Sequence, residues 1–192
     1  IDDRVFANVE YDLGDGTKKI VLCEFNRLFN TDMAKVYNGS NGVFNVSADY
    51  NNGAIVNVIH GNNFIGEFTV SGGNVNVSSV DSSLSFAEIG KKFDIELKTN
   101  PIDATLGNGP VTGIPRGISA VFLDLTDTLS VKVNDTNLLV RNVTDDLSQQ
   151  LTPVTGRKEF RLLGYSRDPQ VTITQDAPLD LQVNGLVAEL IF

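Results

Sequence analysis

The chain has 192 residues, a single cysteine and a formal net charge of −9 at pH 7. This length allows one large domain or two small ones, and it buries enough surface to fold without disulfides or a structural metal. Non-specific nucleic-acid binding depends on Lys and Arg neutralising phosphates, so the acidic charge argues against a nucleic-acid-binding function.

The sequence also bears on the cellular compartment of the protein and on whether it crosses a membrane. Cys23 has no partner within the chain, which is typical of a protein folded in a reducing cytosol. The sequence starts at Ile1 without a basic and apolar leader, so we expect no signal peptide and interpret the chain as a piece of something longer. No apolar run approaches the roughly 20 residues that cross a bilayer, and we expect no membrane span.

The first predicted element is a β-hairpin. Two β-prone runs, residues 4–13 and 17–28, are joined by Gly14-Asp15-Gly16. An Asp-Gly step between such runs favours a tight turn because its residues tolerate positive φ. We predict that residues 1–35 form a hairpin that joins a second sheet farther along the chain.

Short strands separated by Gly- and Asn-rich turns follow the hairpin. They are predicted at residues 42–47, 54–59, 63–71, 74–79 and 92–98. Such spacing is typical of a small barrel or sandwich, and predicts a small β-barrel-like subdomain over residues 36–98. Within it, residues 86–89 alone resemble a helical turn.

The pattern breaks at residues 99–115, where Gly107-Asn108-Gly109-Pro110 and Gly113-Ile114-Pro115 predict a long loop. Loops of this length are often functional, so it is the predicted contact between subunits or with other proteins. Longer strands return at residues 117–126, 129–133, 137–143, 158–165, 170–175 and 179–192. We therefore predict a β-sandwich over residues 116–192, and an all-β, antiparallel chain with almost no helix.

No catalytic constellation is apparent in the sequence. His60 is the only histidine and lies in a predicted turn, and no nucleophile motif accompanies it. Cys23 lies mid-strand without a neighbouring cation to activate it, which indicates an inert thiol. We predict that the chain is not an enzyme and binds no cofactor and no metal.

Three weaker patterns have simple structural interpretations. Calcium ligands are conceivable at Asp124, Asp127 and Asp135, or at Asp12 and Asp15, but neither set has a known loop spacing and turn formation is favoured. The basic patch of Arg157-Lys158 with Arg161 and Arg167 is interpreted as a solvated strand face. Glycosylation sequons are interpreted as turn and surface-strand residues; they occur at Asn38, Asn45, Asn76, Asn134 and Asn142.

One stretch is more specific. Residues 163–179 read Leu-Gly-Tyr-Ser-Arg-Asp-Pro-Gln-Val-Thr-Ile-Thr-Gln-Asp-Ala-Pro-Leu. They resemble a motif near the C-terminus of the tail tubular protein B family, the tail nozzle or stabilisation proteins of short-tailed bacteriophages. That motif has a glycine with an aromatic residue, an Arg-Asp/Glu-Pro turn, a Val-x-Ile-x-Gln strand, and Pro-Leu before a closing apolar strand, to which residues 186–189 are similar.

Shorter stretches upstream are similar to the family in the same order. They include Val36-Tyr37-Asn38-Gly39, the 53–61 hairpin, residues 68–73, Ile89-Gly90 and Arg116-Gly117-Ile118. Two places depart from the family pattern, at Gly90-Lys91-Lys92 and at Gln182-Val183-Asn184. These departures put the strand pairing in doubt rather than the family.

The resemblance implies a structural virion protein without an active site. It implies a hexameric nozzle at the distal end of the tail tube, around the DNA exit channel, with contacts to adaptor and fibre proteins. The protein would be made in the bacterial host cytoplasm and reside in the phage tail. We expect the isolated chain to be a monomer or a weak oligomer, since its Gly- and Asn-rich turns argue against a large apolar patch.

Two other functions remain open at this point. A carbohydrate-binding or adhesin-type β-sandwich would stack sugars on exposed aromatic rings, and the chain has no Trp. The rings available to line one cleft are those of Tyr11, Tyr37, Tyr50 and Tyr165. A metal-dependent hydrolase is the more distant alternative.

Overall fold

The computed structural model describes residues 4–102, 105–106, 109–110, 114–141, 144–146 and 149–192. Strands make up 53% of the structure, and the described residues contain no helix. All the strand pairs are antiparallel. The predicted all-β class is confirmed.

The chain divides into two compact units, Ile1–Phe93 and Asp94–Phe192. The predicted barrel-like subdomain was placed over residues 36–98, but its last strand belongs elsewhere. Strand β9 (Glu96–Lys98) pairs with β17 (Thr172–Thr174) in the second unit. The boundary therefore precedes β9 and falls within the strand that we predicted at residues 92–98.

The predicted hairpin forms in unit 1 from β1 (Phe6–Asp12) and β2 (Lys18–Glu24). In the described chain these strands pair only with each other, so the predicted addition to the second sheet is not found. The turn of the hairpin packs instead against the residues that precede β5 (Ile55–His60). Gly14 adopts a φ of +113°, and a Cβ there would lie 2.3 Å from the backbone nitrogen of Ala54.

Unit 1 also contains a six-stranded sheet in the order β6-β5-β8-β3-β4-β7. It curls into a half-barrel, and a bridge between Ser71 and Asn74 connects its two outer strands. This is the predicted barrel-like subdomain. Its strands are β3 (Asp32–Ser40), β4 (Val43–Asn45), β5 (Ile55–His60), β6 (Asn63–Thr69), β7 (Asn74–Asn76) and β8 (Phe86–Lys91).

Strand β8 corrects one prediction. Residues 86–89 were interpreted as a helical turn, but β8 is a central strand between β5 and β3. Ala87 and Ile89 are buried in the core of the half-barrel, whereas Phe86 on the other face is exposed. This alternation of period two is that of a strand with one face on the core.

The half-barrel consists of two structurally similar halves, each of three strands. Val46 N donates to the Gly73 carbonyl at 2.9 Å, and Val77 N donates to the Gly42 carbonyl at 2.8 Å. The hydrogen bond from Gly39 N to Ser85 O likewise has its counterpart from Val70 N to Ala54 O. These reciprocal bonds relate β3–β4–β5 to β6–β7–β8 by a local two-fold axis.

The turns after β4 and β7 show the same repeat. The Asn45 Oδ1 atom accepts from Ser47 Oγ at 2.8 Å, and Asn76 Oδ1 accepts from Ser78 Oγ at 2.6 Å. The sequence Asn-Val-Ser thus occurs twice because the same turn is built twice.

Unit 2 packs two antiparallel sheets around a core that includes Val121, Leu123, Phe160, Val171 and Ile173. This is the predicted β-sandwich. In the first sheet β12 pairs with β15 and β16 and, separately, with β18. Its strands are β12 (Arg116–Thr128), β15 (Val154–Arg161), β16 (Tyr165–Ser166) and β18 (Val183–Ile191).

The second sheet has the order β14-β13-β17-β9, with β13 (Lys132–Val133) and β14 (Thr136–Asn137). The predicted loop at 99–115 contains one short ladder, β10 (Thr105–Leu106) paired with β11 (Gly109–Pro110). Seven residues of that loop, 103–104, 107–108 and 111–113, lie outside the described residues. Its predicted role as a contact stays a prediction.

Candidate interaction surfaces

His60 ends strand β5 and packs on its neighbour. Its Nδ1 atom lies 3.0 Å from the Phe86 carbonyl oxygen, and the two rings are 4.7 Å apart between centroids. These contacts give the imidazole a packing role on the barrel surface.

The aspartates that were considered as calcium ligands have separate protein partners. Asp124 accepts two hydrogen bonds from Arg157, at 2.8 and 2.9 Å, and these bonds lower the pKa of the Asp124 carboxyl. The Asp127 Oδ1 atom accepts from Thr155 at 3.1 Å, and Asp135 lies 3.6 Å from Lys132. Within the described ranges, no group of three or more His, Cys, Asp or Glu side chains is placed to hold a metal ion.

The second pair of candidates supports the tip of the hairpin. Asp12 Oδ1 accepts from Gly14 N at 2.8 Å, and Asp15 Oδ1 accepts from Thr17 N at 2.8 Å. Asp15 also accepts from Asn51 Nδ2 at 2.9 Å. Both carboxylates thus have the local turn role that the sequence favours.

The sequon asparagines include turn residues as well as strand residues. Asn45 and Asn76 form the paired turns of the half-barrel, and Asn134 adopts a φ of +41° in the β13–β14 turn. Asn38 lies in β3. Asn142 lies outside the described residues.

An apolar cavity of about 390 Å³ lies beside the hairpin. Tyr11 lines it; its hydroxyl donates to Asp32 Oδ1 at 2.5 Å and lies 3.5 Å from Cys23 Sγ. Burial and the hydrogen bond to Asp32 raise the pKa of the Tyr11 phenol. The lining also includes Phe25, whose surface is 71% exposed, so an apolar ring is presented to solvent beside the cavity.

A second cavity, of about 280 Å³, is lined largely by residues 162–170, in and next to the motif of the sequence analysis. Arg116 borders it and is 1% exposed; its guanidinium donates to the Ile102 carbonyl at 3.0 and 3.1 Å. Leu163 is fully exposed beside this cavity. Arg116 therefore fastens residue 102 to the start of β12, next to an exposed apolar side chain.

The two outer strands of the β12 sheet differ in charge. Strand β15 carries Arg157, Lys158, Glu159 and Arg161, whereas Glu189 is the only charged residue of β18. In the part of the chain that the structure describes, β18 pairs with β12 alone. A long apolar edge strand of this kind is a ready template for pairing with another chain.

The four tyrosines considered for sugar stacking have different environments. Tyr50 is 1% exposed, so its ring has no face available to a sugar, and Tyr11 is buried at the wall of the cavity beside the hairpin. The Tyr37 hydroxyl donates to Asp49 Oδ2 at 2.6 Å, and Asp49 also accepts from Lys35 at 2.5 Å. Tyr165 is exposed.

No protein-family model and no curated protein sequence matches the chain. Across the described ranges, no helix is both long and apolar enough to cross a membrane.

Proposed function

We propose that the chain is a structural, non-enzymatic part of the tail nozzle of a short-tailed phage, at the distal end of the tail tube. There it supports DNA passage and tail assembly. It acts as a homo-oligomer, a hexamer in the complete nozzle, and contacts other tail proteins such as the adaptor and the fibres. The motif of residues 163–179 carries the proposal, since it is the most specific resemblance in the sequence.

The place of this motif in the fold supports a structural role. Strand β16 pairs with β12 in one sheet, and β17 pairs with β9 and β13 in the other. Val171 is fully buried and Ile173 is 4% exposed, so the motif supplies side chains to the sandwich core. A segment that enters both sheets maintains the packing of unit 2.

Surface charge and exposed apolar side chains also fit an assembled channel protein. A net charge of −9 repels the phosphates of DNA, which suits a wall past which DNA must move without adhering. Phe25 and Leu163 expose apolar surface that contacts with neighbouring subunits would cover.

Immunogold electron microscopy of purified virions of the phage that encodes the chain tests the proposal. Antibodies raised against the 192-residue protein are expected to label the distal tip of the tail. Serum depleted on the same protein is the control and removes the label. Absence of the protein from virions by mass spectrometry, or label confined to the capsid, would refute the proposed function.

A further inference from the structure

We propose that β18 joins two copies of this chain, by antiparallel pairing of β18 with β18 of a second copy about a two-fold axis. The observation behind this is a nine-residue strand, Val183–Ile191, whose outer edge pairs with none of the described residues. Its exposed side chains include Val187, at 50%, and Ile191, at 37%. The inference goes beyond the proposed function and does not rest on it.

The opposite edge of the same sheet shows what a protected edge looks like. Strand β15 carries four charged residues among eight, and Gly156 interrupts it at a φ of +108°, next to a register shift with β12. Charges and bulges are the usual devices that prevent edge-to-edge pairing. The register of β18 with β12 also shifts, at two places near the ends of the strand, but β18 has only one charge and no proline. Charge therefore protects this edge less than it protects β15.

The sequence of β18 is complementary to itself in one register. Val187 is the midpoint of the strand and of its regular part, Gly185–Glu189, which lies between the two register shifts with β12. With an axis through Val187, this residue faces its own copy and Leu186 faces Ala188 of the second copy. Cross-strand pairs of β-branched residues stabilise a sheet.

Charge favours the same register. Glu189 of each copy faces Gly185 of the other, so no like charges lie directly opposite. The two Glu189 residues are four positions apart along the ladder, about 14 Å at about 3.4 Å per residue. This separation exceeds the Debye length of about 8 Å at physiological ionic strength, so their repulsion is largely screened.

The core face of β18 is also incompletely covered. Leu186, Ala188 and Leu190 pack against the sandwich core but are only partly buried. A second β18 alongside would place Ala188 of one copy next to Leu186 of the other and extend the apolar layer across both copies. The contact would therefore bury apolar surface as well as satisfy backbone hydrogen bonds.

Such a contact is isologous and closes on two copies, so it adds a two-fold association and does not itself build a ring of six. A single strand pair buries little area compared with obligate interfaces, which places it among weak associations. This agrees with the weak oligomer that the sequence leads us to expect.

Analytical ultracentrifugation of the 192-residue chain over increasing concentration is the first test. The wild-type protein is expected to form dimers, and Val187→Arg to remain monomeric because the two arginines would face each other. Glu159→Arg on the outward face of β15 is the matched control and should dimerise like the wild type. A wild type that stays monomeric at millimolar concentration, or a dimer that Val187→Arg leaves intact, overturns the proposal.

Cysteine cross-linking in a Cys23→Ser background tests the register. Val187→Cys is expected to form a disulfide-linked dimer on oxidation, because this residue faces itself. Gly185→Cys alone should not, but it should cross-link when mixed with Glu189→Cys. If Val187→Arg abolishes the dimer while Val187→Cys fails to cross-link, β18 binds a different surface and the two-fold pairing is wrong. Neither experiment depends on virion labelling, so this inference and the proposed function fail separately.

Discussion

The half-barrel of unit 1 and the β12 sheet of unit 2 are both antiparallel, but they treat their edges differently. In unit 1 the sheet curls, and the Ser71–Asn74 bridge joins its outer strands β6 and β7 at one end. In unit 2 the sheet stays open, with a charged strand on one side and an apolar strand on the other. Closing a sheet on itself pairs the backbone N–H and C=O groups of its outer strands within the sheet. An open apolar edge leaves those groups available to pair with another chain.

The largest expected effect tests whether the motif strand supports the sandwich core. Ile173→Ala should lower the free energy of unfolding by about 2–5 kcal/mol, through the cavity left in the core. Thr174→Ala, one position along the strand and on the other face, should change it by only about ±0.5 kcal/mol. Urea denaturation of the two variants measures both values. Equal losses would show that both faces of β17 are buried.

The close packing at the β3–β4 turn of the half-barrel can be tested with a glycine substitution. Gly42 adopts a φ of +71°, and a Cβ there would lie 2.7 Å from the Asp81 carbonyl oxygen. Gly42→Ala should therefore cost about 2–4 kcal/mol, from backbone strain together with crowding. Gly16 also has positive φ but open space around it, so Gly16→Ala should cost only the strain, about 1–2 kcal/mol. Thermal melts that rank Gly16→Ala as the more damaging would contradict the close packing at Gly42.

A partly buried carboxylate, that of Asp49, gives unit 1 a predicted pH dependence. Burial alone would raise the pKa of Asp49, but hydrogen bonds from Lys35 and Tyr37 outweigh it and lower the pKa. Because the pKa of Asp49 is lower in the folded than in the unfolded chain, its ionised carboxylate stabilises the fold at pH values above the unfolded pKa of about 3.9. This stabilisation is lost as the pH falls through the folded pKa. Asp49→Asn should lose about 1–3 kcal/mol at pH 7 and flatten the acid limb of the stability curve. An unchanged acid limb in urea melts between pH 2 and 7 would refute this assignment.

The smallest effect is expected on the exposed face of unit 2. Arg157 lowers the pKa of Asp124, but both side chains lie in solvent, where salt screens the pair. Asp124→Asn should therefore change stability less than Asp49→Asn at the same pH. A larger loss for Asp124→Asn in parallel denaturation curves would mean that the surface ion pair is a main support of the sheet.

Local turn chemistry made much of the fold predictable. The Asp15-Gly16 step located the first hairpin, and the Gly- and Asn-rich turns located β4 to β7. Strand β8 was missed because residues 86–89, Phe-Ala-Glu-Ile, are too short a segment to show a distinctive period. Its identity depends on its neighbours β3 and β5 in the sheet.

The repeat was visible in the sequence but was interpreted differently. Asn45-Val46-Ser47 and Asn76-Val77-Ser78 are the same tripeptide in the same context, yet they were considered as sequons rather than aligned with each other. The interaction surfaces were harder to find, because exposure of a residue such as Val187 depends on what the rest of the chain covers. Sequence showed that β18 is apolar, and only the topology showed that one of its edges is open.

Hydrogen exchange measured by mass spectrometry at low and high protein concentration tests the contrast between the two units most directly. Peptides covering residues 183–192 are expected to gain protection as concentration rises, because a second β18 would bond to the open edge. Peptides from β5 and β8, inside the curled sheet, should exchange at the same rate at both concentrations. Concentration-independent exchange over residues 183–192, or new protection confined to unit 1, would contradict the account.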